Sequence, residues 1–331
     1  MKDEMRGQMH VYFASCVVDG GIYHYRMLPD GQLVFIDRTV CDRPMYMIQE
    51  DSQLHAVLRE PFGDCADSGL ISWEIAADGR LGKASEIVST KGLCGCHLCR
   101  FKGKQYAVNY LSGSVFCSDG TLRTHTGSGP DPYRQETAHT HFISPSPDGK
   151  YLLVTDLGLD QIMVYDENLD LTGMAALPPG SGPRHLVSDC NHVFCVNELG
   201  CSVTMFDYDD GRLTERQTIP VLPAGYPADT TCAAIRRRGN KLYVSNRGDN
   251  SISILEYDSS GIQLLSAISC GGDSPRDIFL LGEYLLCANQ RSSSVSVFRV
   301  AADGLVPVSG GETVVIPEVL GICGWWFGAD V

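Results

Sequence analysis

No stretch of these 331 residues approaches the roughly 20 consecutive apolar residues that a membrane-spanning helix needs. Positive charge is also short. The 26 Lys and Arg face 40 Asp and Glu, a formal net charge of −14, which argues against nucleic acid or an anionic membrane as partner. Met1 to His10 is charged and has no apolar centre, so it does not read as a secretory leader, and a cytoplasmic home is expected. Hardly any segment spaces its apolar residues at 3, 4 and 7, so very little helix is expected. No low-complexity linker interrupts the chain, and one domain over 1–331 is expected. There is no G-x-S-x-G elbow to carry a serine nucleophile.

Cysteine, by contrast, is plentiful at 14. A disulfide framework of that density belongs to small secreted chains. Here Cys117, Cys195 and Cys287 sit inside apolar strand patterns, where a reduced thiol serves as a small apolar filler.

The positive content of the chain is repetition. Gly180 to Asp209 reads GSGPRHLVSDCNHVFCVNELGCSVTMFDYD: short strands cut by Gly, Pro, Asn and Asp, the pattern of an antiparallel meander. A small polar residue ends the second strand six positions before a β-branched one, and this recurs. Asn109, Asp156, Asn197, Asn246 and Asn289 precede Val115, Ile162, Val203, Ile252 and Val295, at spacings of 47, 41, 49 and 43 residues. Fainter copies cover Met9 to Tyr25 and Gln53 to Ile75. Seven units of this length predict an all-β, seven-bladed β-propeller with four-stranded antiparallel blades. The tail, Val314 to Phe327, is expected to return to the first blade and close the ring, which protects the sheet edges.

Antiparallel pairing puts the start of each innermost strand beside the end of the second strand. Cys96-His97, Thr140-His141, Arg184-His185 and Arg276-Asp277 should therefore meet the recurring Asn and Asp at one mouth of the central channel. An Asn at a strand end is commonly a turn former. The next position nevertheless changes from blade to blade, as Tyr110, Leu157, Glu198, Arg247 and Gln290. Such variation points to a site assembled asymmetrically, although Glu198 and Arg247 could also form a plain rim ion pair.

The segments HTGSGPDPYRQETAHTHFISPSPDGKYLLVTDLGLDQIMVYD, GSGPRHLV, VNELG, LYVSNRGDNSI, SPRDIFL and LLCANQRSSSVSVFRV, in this order, resemble the lactonase family of seven-bladed propellers. That family is best known for 6-phosphogluconolactonase and also contains carboxymuconate-cyclising enzymes. The resemblance implies a catalytic His141, Glu198 and Arg247 and no metal or other cofactor. It also implies substrate contacts from Arg134, Arg184, His185 and Arg276. The resemblance leaves His139 as the alternative to His141, and the channel-mouth argument adds Asp156, Asn197, Asn246 and Asn289. Between His139 and His141, strand alternation lets one face the channel, and the register with His97 and His185 favours His141. The chain departs from the family at Leu58, where an Asn is usual, at Ala234, near which an acidic residue is often found, and in Cys94, Cys96 and Cys99.

Lactone hydrolysis needs an attacking water, a stabilised oxyanion and a proton for the ring oxygen. Glu198 or His141 could act as base, and Arg247 could hold the oxyanion or a substrate anion. The partner implied is a small anionic sugar lactone. Cys94-x-Cys96-His97-x-Cys99 resembles a zinc run, but alternation sends its members to opposite faces, so no metal is expected there. Two alternatives remain open: a non-catalytic propeller that binds a partner, and an enzyme running the reaction toward lactone formation.

Overall fold

The computed structural model describes residues 9–59, 66–302, 304–309 and 314–326; of the segments discussed above, residues 1–8, residues 60–65 of the Gln53 to Ile75 copy, and Phe327 lie outside them. Every regular element among the described residues is a β-strand. The strands form seven antiparallel sheets, each with a four-strand path, and blades 2 and 7 carry a short fifth strand. The expected seven-bladed ring is thus what the chain adopts.

The second strand of each blade, such as Leu152–Asp156, His192–Asn197 and Tyr284–Asn289, is buried almost throughout. A blade packs on a neighbour at both faces, so these strands read as continuous apolar runs instead of alternating ones. Between blades 5 and 6, Phe194, Val196, Val203 and Met205 meet Ile235, Leu242, Val244 and Leu255. On the other face of blade 5, Val193, Cys195 and Phe206 join Phe142, Leu153 and Ile162 of blade 4. The thirteen described cysteines are all free thiols, and ten of them, among them Cys117, Cys195 and Cys287, are buried in the apolar clusters.

Ring closure is made by Val319–Trp326, which pairs with Met9–Ser15 and becomes the innermost strand of blade 1. The first and last parts of the chain thereby share one sheet. Asp277 of blade 7 reinforces the seam, since its Oδ2 accepts the Ile322 amide at 3.0 Å.

One irregularity recurs in all seven blades. The innermost strand carries one extra residue, a β-bulge, just after its first rung with the second strand, or in blade 6 after its second. The residues at these bulges are Leu320, Met45, Cys96, His141, Arg184, Ala233–Ala234 and Arg276 for blades 1 to 7. A bulge releases a residue from strict alternation and re-aims its side chain. Here four of these residues, Met45, Cys96, His141 and Arg276, line a cavity at the channel mouth.

Deleting residues from 319 onward would strip blade 1 of its inner strand and leave Met9–Ser15 an unpaired edge. The expected outcome is loss of the cooperative thermal transition and self-association by size-exclusion chromatography; a monomer with an unchanged melting curve would contradict this account of closure.

Candidate active site

Two sets of residues meet at the mouth. The bulged Met45, Cys96, His141 and Arg276 supply one, and Arg59, Tyr110, Glu198 and Arg247, each directly after the end of its blade's second strand or at that end, supply the other. With Cys94 and Arg134 they enclose a cavity of about 240 Å³. Arg134, Arg247 and Arg276 also border an outer basin of about 380 Å³, together with Asp229, Thr231, Ser274, Gln290 and Arg291.

Glu198 is the centre of the constellation. It is only 2% exposed. Its Oε2 lies 2.9 Å from Arg184 Nε and 2.9 Å from Arg247 Nη2, and its Oε1 accepts from Arg134 Nη2. The backbone sets it in place: its N–H donates to Gly182 O at 2.7 Å, and its carbonyl accepts from Cys232 N at 3.1 Å. Gly182 has φ +62°, and a Cβ there would lie 2.6 Å from Leu199 Cγ, so glycine is required for this approach. Burial alone would push the Glu198 carboxyl up, but Arg247, Arg184 and Arg134 together hold it well below the usual carboxylate range.

The arginines differ in how far they are committed. Arg184 also donates to Ala233 O at 2.6 Å and to His185 Nε2 at 3.0 Å; burial pushes its pKa down to about 9, Glu198 opposes this, and it stays charged at neutral pH. Arg247 donates to Cys232 O at 2.9 Å. Arg276 has no hydrogen bond or ion pair among the described residues, and burial followed by repulsion from Arg247 lowers its pKa. It is a guanidinium facing the cavity with its donors uncommitted.

His141 lines the cavity and is 4% exposed. Burial, then the Arg184 charge, pushes its pKa well below 6.5, so the ring is neutral at physiological pH. His139 lies behind the wall: its ring stacks on Tyr110 at 4.3 Å between centroids, and its Nδ1 donates to the Tyr110 carbonyl at 3.0 Å. Tyr110 and Arg134 both line the cavity.

The register argument for choosing His141 is corrected by the bulge. His141 shares its level with Cys96, Arg184 and Arg276, whereas His97 and His185 lie one rung deeper. There they pack with Tyr46 and Phe142, His97 and His185 at 5.5 Å between centroids. Arg236 completes this floor, bonding Asp277 at 2.7 Å and the Tyr46 hydroxyl at 3.1 Å. His185 and Arg184 border only a narrow extension below the main cavity.

Asp156, Asn197, Asn246 and Asn289, expected among the substrate contacts, are fully buried and committed to their own blades. Asn197 Nδ2 donates to Ser202 Oγ at 2.9 Å and Thr204 Oγ1 at 2.9 Å, and Asn246 repeats this with Ser251 and Ser253 at 3.0 and 2.8 Å. Asn289 bonds Ser296, and Asp156 binds the His125 ring and the backbone N–H of His139 and Leu159. These four hold turns and do not line the cavity. His139 likewise acts on Tyr110 and not on the cavity itself. Arg59 and Tyr110 went unassigned in the sequence, although the variable position after the strand end was the signal that marks both.

The Lactonase, 7-bladed beta-propeller family description matches residues 10–320, and the chain belongs to that family. An uncharacterized protein of Staphylococcus saprophyticus is 30% identical over 280 residues, 77% of this chain and 80% of that one. Among solved structures, a candidate 6-phosphogluconolactonase of Bacteroides fragilis superposes with a TM-score of 0.86 at 25% identity, covering 96% of this chain and 98% of that one. A Lactobacillus plantarum protein superposes at 0.84 with 26% identity, covering 96% and 99%.

Two outcomes follow from these electrostatics. Glu198→Gln leaves three guanidiniums without their shared counter-charge and should cost about 3–5 kcal/mol in chemical denaturation; an unchanged midpoint would contradict the central role of Glu198. Burial, the leading cause in each case, holds His10 and His55 at about 4 and His97, His141 and His185 well below 6.5. Because their folded pKa values are depressed, the unfolded chain takes up protons first as pH falls. Their contribution is intact above about pH 6.5 and is lost progressively below it. The melting temperature should therefore be flat near pH 7–8 and decline from pH 6.5 toward pH 4, as followed by scanning calorimetry.

Proposed function

We propose that the protein hydrolyses an anionic sugar lactone in this cavity, with 6-phosphogluconolactone the leading substrate. The observation that carries the reading is the charge of the cavity wall: Arg59, Arg134, Arg247 and Arg276 against the single carboxylate of Glu198. In a chain of net charge −14, such a local reversal selects a small anion. The narrow polar cavity also fits a small substrate better than a protein partner, which would use a broad apolar face.

The roles divide by what each group has free. Glu198, triply paired and strongly acidic, is a poor proton acceptor and serves to hold Arg134, Arg184 and Arg247 in position. His141, neutral and on the cavity wall, takes the proton of the attacking water. As imidazolium it returns that proton to the ring oxygen as the tetrahedral intermediate collapses. Protonating it beside Arg184 is unfavourable, so its base strength is modest. Lactones of this kind open slowly unaided, and a modest gain is sufficient. Arg247 stabilises the oxyanion, and the uncommitted Arg276 takes the substrate's phosphate or carboxylate.

Turnover of fresh 6-phosphogluconolactone and of unphosphorylated gluconolactone tests the assignment. His141→Asn should lower kcat on both by about 10²–10⁴-fold. Arg276→Gln should lower kcat/KM on the phosphorylated lactone by roughly 10–100-fold, the loss of one or two charge-assisted hydrogen bonds, with a smaller effect on the neutral one. Absence of acceleration on every aldonolactone tried would remove the function, and full activity of both variants would remove the residue roles.

A further inference from the structure

The cavity wall also carries thiols that lactone hydrolysis does not use. Cys94 and Cys96 line it beside Arg59 and Arg276. Cys96 is buried, with its Sγ 3.3 Å from His141 O and 3.5 Å from Thr140 O, and burial pushes its pKa far above the ordinary thiol range. Cys16, nearby, is buried too, hydrogen-bonds Arg43 O, and is pushed up to about 11. Cys94 differs from both. It is partly exposed, its Sγ has no hydrogen-bond partner among the described residues, and its backbone is left-handed at φ +58°. That conformation is uncommon for a residue with a Cβ. It is held by Tyr110 N–H donating to Cys94 O at 2.9 Å and by paired bonds between Leu93 and the Tyr110–Ser112 turn. Cys94 is therefore held in the wall of a cavity whose lining also carries Arg59, Arg134, Arg247 and Arg276.

We propose that Cys94 is a site of covalent modification by anionic thiol-reactive compounds, such as small carboxylate-bearing disulfides, which the arginine-lined cavity concentrates. The chemistry is thiol–disulfide exchange. The Cys94 thiol loses its proton to solvent, the thiolate attacks one sulfur of the disulfide, a new S–S bond forms as the old one breaks, and the second sulfur leaves as an anionic thiolate. The adduct occupies the same cavity as the anion held by Arg276. The proposal stands independently of whether the cavity hydrolyses lactones.

The native full-length protein would be treated with 5,5′-dithiobis(2-nitrobenzoate), a dianionic disulfide, and with neutral 2,2′-dithiodipyridine. Each rate is normalised to the same probe reacting with 2-mercaptoethanol, and labelled cysteines are identified by peptide mass. At Cys94 the normalised rate with the anionic probe should exceed that with the neutral one by about tenfold or more, within the usual range of electrostatic steering. Inorganic phosphate should slow labelling of Cys94 while leaving the exposed Cys190 unaffected. Arg276→Gln should reduce the anionic preference, and Cys94→Ser should remove the phosphate-sensitive phase. Failure of either probe to label Cys94, equal normalised rates, or labelling indifferent to phosphate would each overturn the proposal.

Discussion

A buried carboxylate shared by three guanidiniums is the constraint on which the site depends. Glu198 binds Arg184 of its own blade, Arg247 of blade 6 and Arg134 from the segment between blades 3 and 4. One negative charge removed from water is costly, and so are three positive ones; each is tolerated because the others are there. The balance is not neutral, however. Arg276 and Arg59 add further positive charge around the cavity, so the wall carries more positive than negative groups.

The frame that permits this is a repeated device. Each blade ends its second strand in a turn that four of the blades pin with a buried Asn bonded to a nearby Ser, and each innermost strand bulges one rung in. The bulge and the position after the turn are structurally equivalent around the ring, yet their side chains are free to differ. The repeat therefore sets where functional groups can stand, and the individual blades decide what stands there. Gly248 shows how tight the frame is: just after Arg247, at φ +95°, a Cβ would lie 2.9 Å from Thr230 Cα.

One rung deeper than the cavity, Tyr46, His97, Phe142 and His185 pack together beside the Arg236–Asp277 pair. Burial pushes Asp277 up while Arg236 pulls it back, and the backbone amides of Ile278 and Ile322 complete its bonding. These bonds tie blades 6, 7 and 1 together below the mouth.

How far the site could be read in the sequence depended on which periodicity carried the information. The repeating polar residue located the mouth, and the variable position after it named Glu198 and Arg247. The same signal covered Arg59 and Tyr110. Asp156, Asn197, Asn246 and Asn289 were overread because a residue at the right height in a blade need not point into the channel. Choosing His141 over His139 rested on strict alternation, which the bulge at His141 suspends; the residue does line the cavity, but level with Arg184 and not with His185.

Strand length, turn chemistry and the near-regular spacing of seven units are local properties, and they sufficed for the propeller and its closure because each blade must cover its neighbour's apolar face. The triple pairing of Glu198, the uncommitted state of Arg276 and the depressed basicity of His141 were decided only by the closed ring. Distances between groups more than sixty residues apart, and the removal of water from around them, do not exist until the blades have packed.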